Sequence, residues 1–256
     1  MNYAVIEAMA AAGETADSLA AQIGVDPKTA AKWANPGRIP QTRHRAQVAT
    51  ALGREVEHLW PDVLKRREPA WFRRWVDVER EAVALRWFEL AWVPGLLQTE
   101  AYARATLAME SLTADEVGEL AAARVQRQAI LHRDRPPLLV AVMDEAALRR
   151  RVGRDGTVMR EQCEHIVTCV EQLPSVQVHV VPLDTPMYLG LGGPFIMADM
   201  PDGSRVAHED GQVSAQITEA AAEIATLDRR WARIVGDALP RAQSIDLIRE
   251  VAGSWT

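Results

Sequence analysis

Two lysines four positions apart, Lys28 and Lys32, with Pro27 and Thr29 beside the first of them, open the list of residues whose types and spacing could do chemistry. On a helix, positions i and i+4 share a face. The two ammonium groups would then act together, donating to guanine O6 and N7 or neutralising phosphates, while Thr29 could meet a base edge or the backbone. Arg38, Arg43, His44 and Arg45 follow and could hold phosphates. A second constellation joins the adjacent acids Asp144 and Glu145 to Arg149, His179 and His208, the side-chain types of hydrolytic chemistry. Adjacent acids after a strand more often cap a helix and charge its first turn, and His179, alternating with apolar neighbours, reads as a sheet residue. Arg124, Arg127 and Gln128 form a polar helix face that could hold an anionic ligand or an acidic partner, or simply face solvent, and with Asp144 and Glu145 they are the candidate ligand- or partner-binding residues. Cys163, Glu164, His165 and Cys169 are metal-ligand types, but at about 100° per helical residue they point in three directions. Gly190, Gly192 and Gly193 lack the Lys-Ser/Thr of a phosphate loop. No catalytic residue, metal or cofactor is therefore assigned.

The elements around the lysines are short helices. Residues 4–12 read as a helix closed by Gly13, and Thr15 caps a second that Gly24 ends. Asp26 is a good N-cap and Pro27 suits the first helical position of a third helix, Lys28 to Ala34. A helix-turn-helix needs a small residue at the crossing, a turn residue that tolerates positive φ, and apolar anchors on both helices. Ala20, Gly24, and Leu19, Ile23, Val25 and Trp33 supply them. The second helix of such a pair places its N-terminal end in the major groove, where Pro27, Lys28, Thr29 and Lys32 would lie. A helix from Thr42 to Leu52 and a turn through Trp60 follow. The polar segment Lys65 to Pro69 is the expected boundary, giving a helix-turn-helix domain over 1–67 and a second domain over 70–256.

Beyond the boundary, Trp71 to Trp92 reads as one long helix, with Trp71, Trp75, Val78, Ala82 and Leu85 at helical spacing and more apolar surface than one contact needs. After Pro136-Pro137 the period changes. Leu138 to Met143, Val176 to Val181, Phe195 to Ala198 and Val206 to His208 read as strands, the last two joined by the turn Pro201-Asp202-Gly203. Three apolar stripes, through Met159 to Leu173, Ile217 to Ile234 and Ile245 to Trp255, read as helices. The expected fold is mainly α, an all-α head followed by an α+β domain with a small sheet of about four strands.

Charge separates the two parts. The 256 residues carry 29 basic and 35 acidic side chains, yet from Lys28 to Arg67 nine bases face three acids. That is a local footprint for a polyanion on an acidic protein. Two cysteines give no disulfide framework. No apolar run approaches the roughly 18 residues of a membrane span, and the N-terminus has no cationic head before an apolar stretch, so no membrane association and a cytoplasmic location are expected.

Residues 15–61, with V-D-P-K-T-A-A-K-W, R-I-P-Q-T-R-H-R and H-L-W-P, resemble XRE, or Cro/repressor-like, helix-turn-helix domains, the actinobacterial members in particular. Residues 70–256, through P-G-L-L-Q-T-E-A-Y-A-R, A-R-V-Q-R-Q, D-E-A-A-L-R-R-R-V-G and G-G-P-F, resemble the C-terminal domain of uncharacterised function in WhiJ-type, antitoxin-like regulators. The resemblance implies a transcriptional regulator that binds double-stranded DNA and is often encoded beside a small acidic partner protein. A homodimer is expected, because one short recognition helix gives little specificity and two match a palindromic operator. Two alternatives remain open at this point: a protein that chiefly sequesters its partner, with DNA binding for autoregulation, and, more distantly, a hydrolase-like C-terminal domain.

Overall fold

The structure, a computed structural model, describes residues 2–35, 38–60, 70–154, 156–211 and 215–255, and at 42, 43, 57 and 70–73 the backbone alone. The expected boundary segment Lys65 to Pro69 lies outside the described residues. The chain divides into two compact units, Met1–Pro69 and Ala70–Thr256.

The first unit is helical: α1 (Tyr3–Ala12), α2 (Ala16–Ile23), α3 (Pro27–Lys32), α4 (Thr42–Ala51) and α5 (Val56–Leu59). Its turns are written in side-chain oxygens and glycines. Thr15 and Ser18 form a capping box on α2, and Asp26 accepts from the Lys28 backbone N–H to start α3, with Pro27 at the first position. Gly24 closes α2 at φ 77°, a left-handed conformation that glycine adopts without strain. Asn2 caps α1 and also donates through Nδ2 to the Leu59 carbonyl at 2.8 Å, tying the start of the unit to α5. Leu19, Ala20, Ala30, Trp33, Val48 and Leu59 are buried together in one core.

The second unit corrects the expected fold in two ways. The sheet has six strands, not about four, in the order β3-β2-β1-β4-β5-β6: β1 (Ala84–Glu89), β2 (Leu138–Asp144), β3 (Val176–Val181), β4 (Phe195–Asp199), β5 (Arg205–Glu209) and β6 (Gln216–Thr218). β1 and β2, and β2 and β3, run parallel, while the pairs from β1 through β4 and β5 to β6 are antiparallel. The expected helix from Trp71 to Trp92 is instead α6 (Ala70–Glu81) followed by the central strand β1. A central strand is buried on both faces, so its sequence need not alternate. In A-L-R-W-F-E, Leu85 and Trp87 go to one face and Phe88 to the other, and that crowding of apolar residues imitated a wide helical stripe. Ile217, expected in a helical stripe, lies in β6.

Helices cover both faces. α6, α7 (Glu100–Leu107), α10 (Thr157–Gln172) and α12 (Arg241–Ser254) bury Trp75, Tyr102, Met159, Cys163, Ile248 and Val251 in one core with Leu85, Trp87, Met143, Val178 and Ile196. α8 (Ala114–Arg127) lies against α7, and the short α9 (Glu145–Arg149) follows β2 directly. α11 (Ala221–Asp237) covers the other face through Ile224, Leu227 and Ile234, packed with Phe88, Val142 and Phe195. It is pinned there by Asp228, which meets Arg86 at 2.6 Å and Arg205, both of which also hold Asp199. The β3 edge is covered at Val180, which donates to Ser244 Oγ at 3.0 Å and accepts from the Leu239 N–H at 2.8 Å.

Candidate functional site

Two places gather the residues singled out by sequence, one in each unit. In the first, α3 turns Ala30 and Trp33 inward, at 1% and 3% exposure, and leaves Pro27, Lys28, Thr29 and Lys32 exposed. The anchors are those that packing requires, so the cationic face is free of a structural task. Arg38 is exposed. Arg45 is half-buried and donates through Nε to the Pro40 carbonyl at 3.0 Å, so part of its fork holds the loop before α4. His44 lies beside Gln47, with Nδ1 to Oε1 at 3.4 Å. Arg43 is in α4, its side chain outside the described residues.

In the second unit the segment Pro94 to Thr99 is a hub. Leu96 and Leu97 are buried, and Gln98 at 5% exposure donates to the Val93 carbonyl at 2.7 Å. Gln162 of α10 bridges the same segment, donating to the Leu97 carbonyl at 2.6 Å and accepting from the Thr99 N–H at 2.7 Å. The three polar residues expected to face a ligand turn toward this hub. Arg124 donates to Gln98 Oε1 at 3.2 Å, and Gln128 donates to the Gln98 carbonyl at 2.6 Å. Arg127 makes a two-pronged pair with Glu79 of α6, at 2.8 and 2.6 Å, and Glu79 is only 1% exposed. Such a fork matches a carboxylate and fixes α8 against α6.

Sequence reasoning missed the acid beside them. Glu89, at the carboxyl end of β1, is 8% exposed, and Trp87 Nε1 donates to its Oε1 at 3.0 Å. Among the described residues no hydrogen-bond donor reaches Oε2. Burial pushes this carboxyl up to about 8, only partly offset by the Trp87 hydrogen bond; Asp210 adds to the rise and Arg124 opposes it. Tyr102, whose hydroxyl accepts from the Val93 N–H at 3.2 Å, is pushed up to about 12, by burial first. On the same face His208 of β5 packs against Trp75, ring centroids 4.9 Å apart, with Nε2 3.6 Å from Asp210. Burial lowers the His208 value below the ordinary imidazole range. The signal available in the sequence was an acid in line, at helical spacing, with the apolar positions Val78, Ala82 and Leu85.

Asp144 and Glu145 are placed apart from this cluster, and they work as the capping reading says. Asp144 accepts from the Ala146 N–H at 2.8 Å as the N-cap of α9, and from the Tyr188 hydroxyl at 2.6 Å. Glu145 takes Arg149 at 2.5 Å and the Leu183 N–H at 3.0 Å. Together they hold the 182–193 loop over the ends of the parallel strands. His179 Nδ1 lies 3.0 Å from the Leu239 carbonyl, and His208 is on the opposite sheet face, so the carboxylates and histidines are not brought together. Cys163 and Cys169 are raised to about 12 and 11 by burial, which keeps both as unreactive thiols. Among the described residues no cluster of metal-ligand types forms, and no helix is long and apolar enough to cross a membrane.

Compared with known families, residues 72–250 match the model described as "Domain of unknown function (DUF5753)". None of the curated proteins matches the chain.

Proposed function

The chain belongs to the DUF5753 family, whose function is unknown, and from its own residues we propose that it is a sequence-specific DNA-binding transcriptional regulator whose second unit senses a ligand or a small partner protein. One observation carries the reading: Pro27, Lys28, Thr29 and Lys32 stand exposed on α3 while Ala30 and Trp33 anchor it. A helix held by its apolar side, with one ammonium group and a hydroxyl at its start and a second ammonium group one turn on, suits insertion into a major groove. The excess of bases over acids between Lys28 and Arg67 supports approach to the phosphate backbone. Arg38, Arg43, His44 and Arg45 are the proposed backbone contacts. Two copies acting on a palindromic site would supply the length of sequence that one short helix cannot read.

The test is binding of the full chain to its own promoter, measured by footprinting and by anisotropy over a range of salt. If Lys28 reads a base, Lys28→Ala costs about 1–3 kcal/mol and relaxes preference at one base pair; if it meets phosphate, all sequences weaken and the salt slope falls by about one. Unchanged affinity in the variant combining Lys28→Ala and Lys32→Ala would overturn the reading.

A further inference from the structure

Residues 70–256 carry 27 acids against 20 bases, every base an arginine. In so acidic a unit an exposed guanidinium readily finds a carboxylate: Arg74 meets Glu219, Arg104 meets Glu100 and Arg249 meets Glu171. The stretch from the end of α9 to the start of α10 departs from that pattern. It holds Arg149, Arg150, Arg151, Arg154 and Arg160 against one acid, Asp155. Arg149 is taken by Glu145 and Glu250. Arg150, Arg151, Arg154 and Arg160 are exposed, and among the described residues none of their side chains has a hydrogen-bond or ion-pair partner. The backbone beneath them is anchored. Val152 is 5% exposed and belongs to the core, and Gly153 turns the chain at φ 83°, so close to Val158 that an added Cβ would lie 3.2 Å from it. Folding gains nothing from cations here: α10 has no acid in its first turn, and positive charge ahead of a helix start opposes its dipole. Like charges held together on an anchored loop, without partners of their own, create a local field for an anion from outside the chain.

We propose that Arg150, Arg151 and Arg154 are a contact surface for the phosphate backbone of DNA, so that the second unit adds affinity of its own to the base reading of α3. The composition of the loop selects this partner. Between 150 and 154 the exposed residues are three arginines and Gly153, and the one apolar side chain, Val152, points into the core. A protein partner would want apolar surface at the centre of its interface, whereas surfaces that meet DNA are polar and strongly positive. Each guanidinium fork matches two phosphate oxygens, and three forks within five residues match a line of charges better than a single anion. The proposal deepens the DNA-binding half of the function above and rests on it. Contacts of this kind position the protein without reading sequence. Every arginine that neutralises a phosphate of duplex DNA releases counterions and steepens the dependence of affinity on salt by about 0.9.

The experiment titrates the full chain against its own promoter duplex and a scrambled duplex of equal length, reading anisotropy over a range of potassium chloride concentrations. Combining Arg150→Gln, Arg151→Gln and Arg154→Gln should weaken binding to both duplexes by the same factor, about tenfold or more at low salt, and flatten the salt slope by about 2–3. The ratio of the two affinities should stay as it was. Lysine at the same three positions keeps the charge and should keep most of the slope. A control that removes as much charge from paired arginines, Arg74→Gln with Arg104→Gln and Arg249→Gln, should leave the slope unchanged. An unaltered slope in the first variant, equal flattening in the control, or lysine variants that behave like the glutamine ones would overturn the proposal. Should the triple variant fail to fold, the three single variants decide, each flattening the slope by about 0.9. If the unaltered chain binds both duplexes equally and the arginine variant still flattens the slope, the sequence-specific reading alone is overturned; binding to neither duplex would overturn both.

Discussion

Asp144 and Glu145 at the end of β2 and Glu89 at the end of β1 belong to neighbouring parallel strands, yet the protein treats them in opposite ways. The pair on β2 has donors on both carboxylates: an N-cap, a tyrosine hydroxyl, an arginine and a loop N–H. Glu89 is as deeply buried and, among the described residues, has one indole donor and one oxygen with none. Acids that follow a strand find the freed N–H groups of the next helix within reach, because the first turn of any helix leaves them unpaired. Glu89 is followed by an irregular turn through Trp92 and Val93, which offers its Oε2 nothing. The lesson is that adjacent carboxylates at a strand end, the more suggestive pattern in a sequence, are here the architectural ones. The lone acid in an apolar strand is the one with capacity to spare.

The largest test of that contrast removes the most completely paired acid. Glu79→Ala takes from Arg127, whose side chain is 12% exposed, the carboxylate that accepts from both prongs of its guanidinium. Breaking a buried pair from one side costs about 3–5 kcal/mol, so urea unfolding should show a loss of that order for the second unit. A loss under about 1 kcal/mol, the value typical of surface pairs, would mean that the pair is solvated and that engagement does not separate structural from spare acids.

Glu89→Gln should move stability the other way, and only where the native carboxyl is ionised. Its native value lies near 8 against an ordinary 4.5. A native state that holds a proton more tightly than the unfolded chain is favoured in full below about pH 4.5, and that advantage is lost as pH climbs to about 8. The loss amounts to a few kcal/mol, on the order of 3 after allowing for relaxation of the site. Glutamine cannot ionise, and its carbonyl can still accept from Trp87. Melting of the variant should therefore be flatter with pH, with the variant the more stable protein at pH 9 and no more stable at pH 5. Parallel pH profiles would show that Glu89 is already compensated.

How far sequence could go follows the same division. In the first unit the turns are local: Thr15, Gly24, Asp26 and Pro27 carry their own instructions within a few residues, and caps and helix ends could be read directly. The four strands after Pro137 were legible because turns or a change of period bound them. β1 was not, since its identity depends on pairing with β2 on one side and β4 on the other, both more than 45 residues away in sequence. Misreading β1 as helix hid Glu89, because the apolar stripe was followed only as far as Leu85 and the acid four residues on, in line with it, was not singled out. The short β6 was lost in the same way, absorbed into the stripe that begins α11. Arg124, Arg127 and Gln128 were found as a group, but their inward direction is set by Glu79 and by the Gln98 segment, partners that no spacing rule connects to them.

The smallest expected effect sharpens the comparison at a single hydrogen bond. Tyr188 donates to Asp144 Oδ2 at 2.6 Å and is half-buried in the loop that Glu145 also holds through Leu183. Burial and the neighbouring Asp144 carboxylate raise the Tyr188 phenol well above its ordinary value, so it acts as a donor throughout the working pH range. Tyr188→Phe removes that donor and leaves the ring, which packs edge-on against Phe88 at 6.4 Å between centroids. A hydrogen bond to a charged acceptor contributes about 1.5–3 kcal/mol, and partial exposure of the pair places the loss toward the lower end. The cap to Ala146 survives, so α9 should persist, and the loss should appear as faster amide exchange over residues 183–193 rather than as collapse of the unit. Exchange in that loop unchanged by Tyr188→Phe would mean that Asp144 is held by its cap alone, and the acids of β2 would then be less fully engaged than the contrast with Glu89 requires.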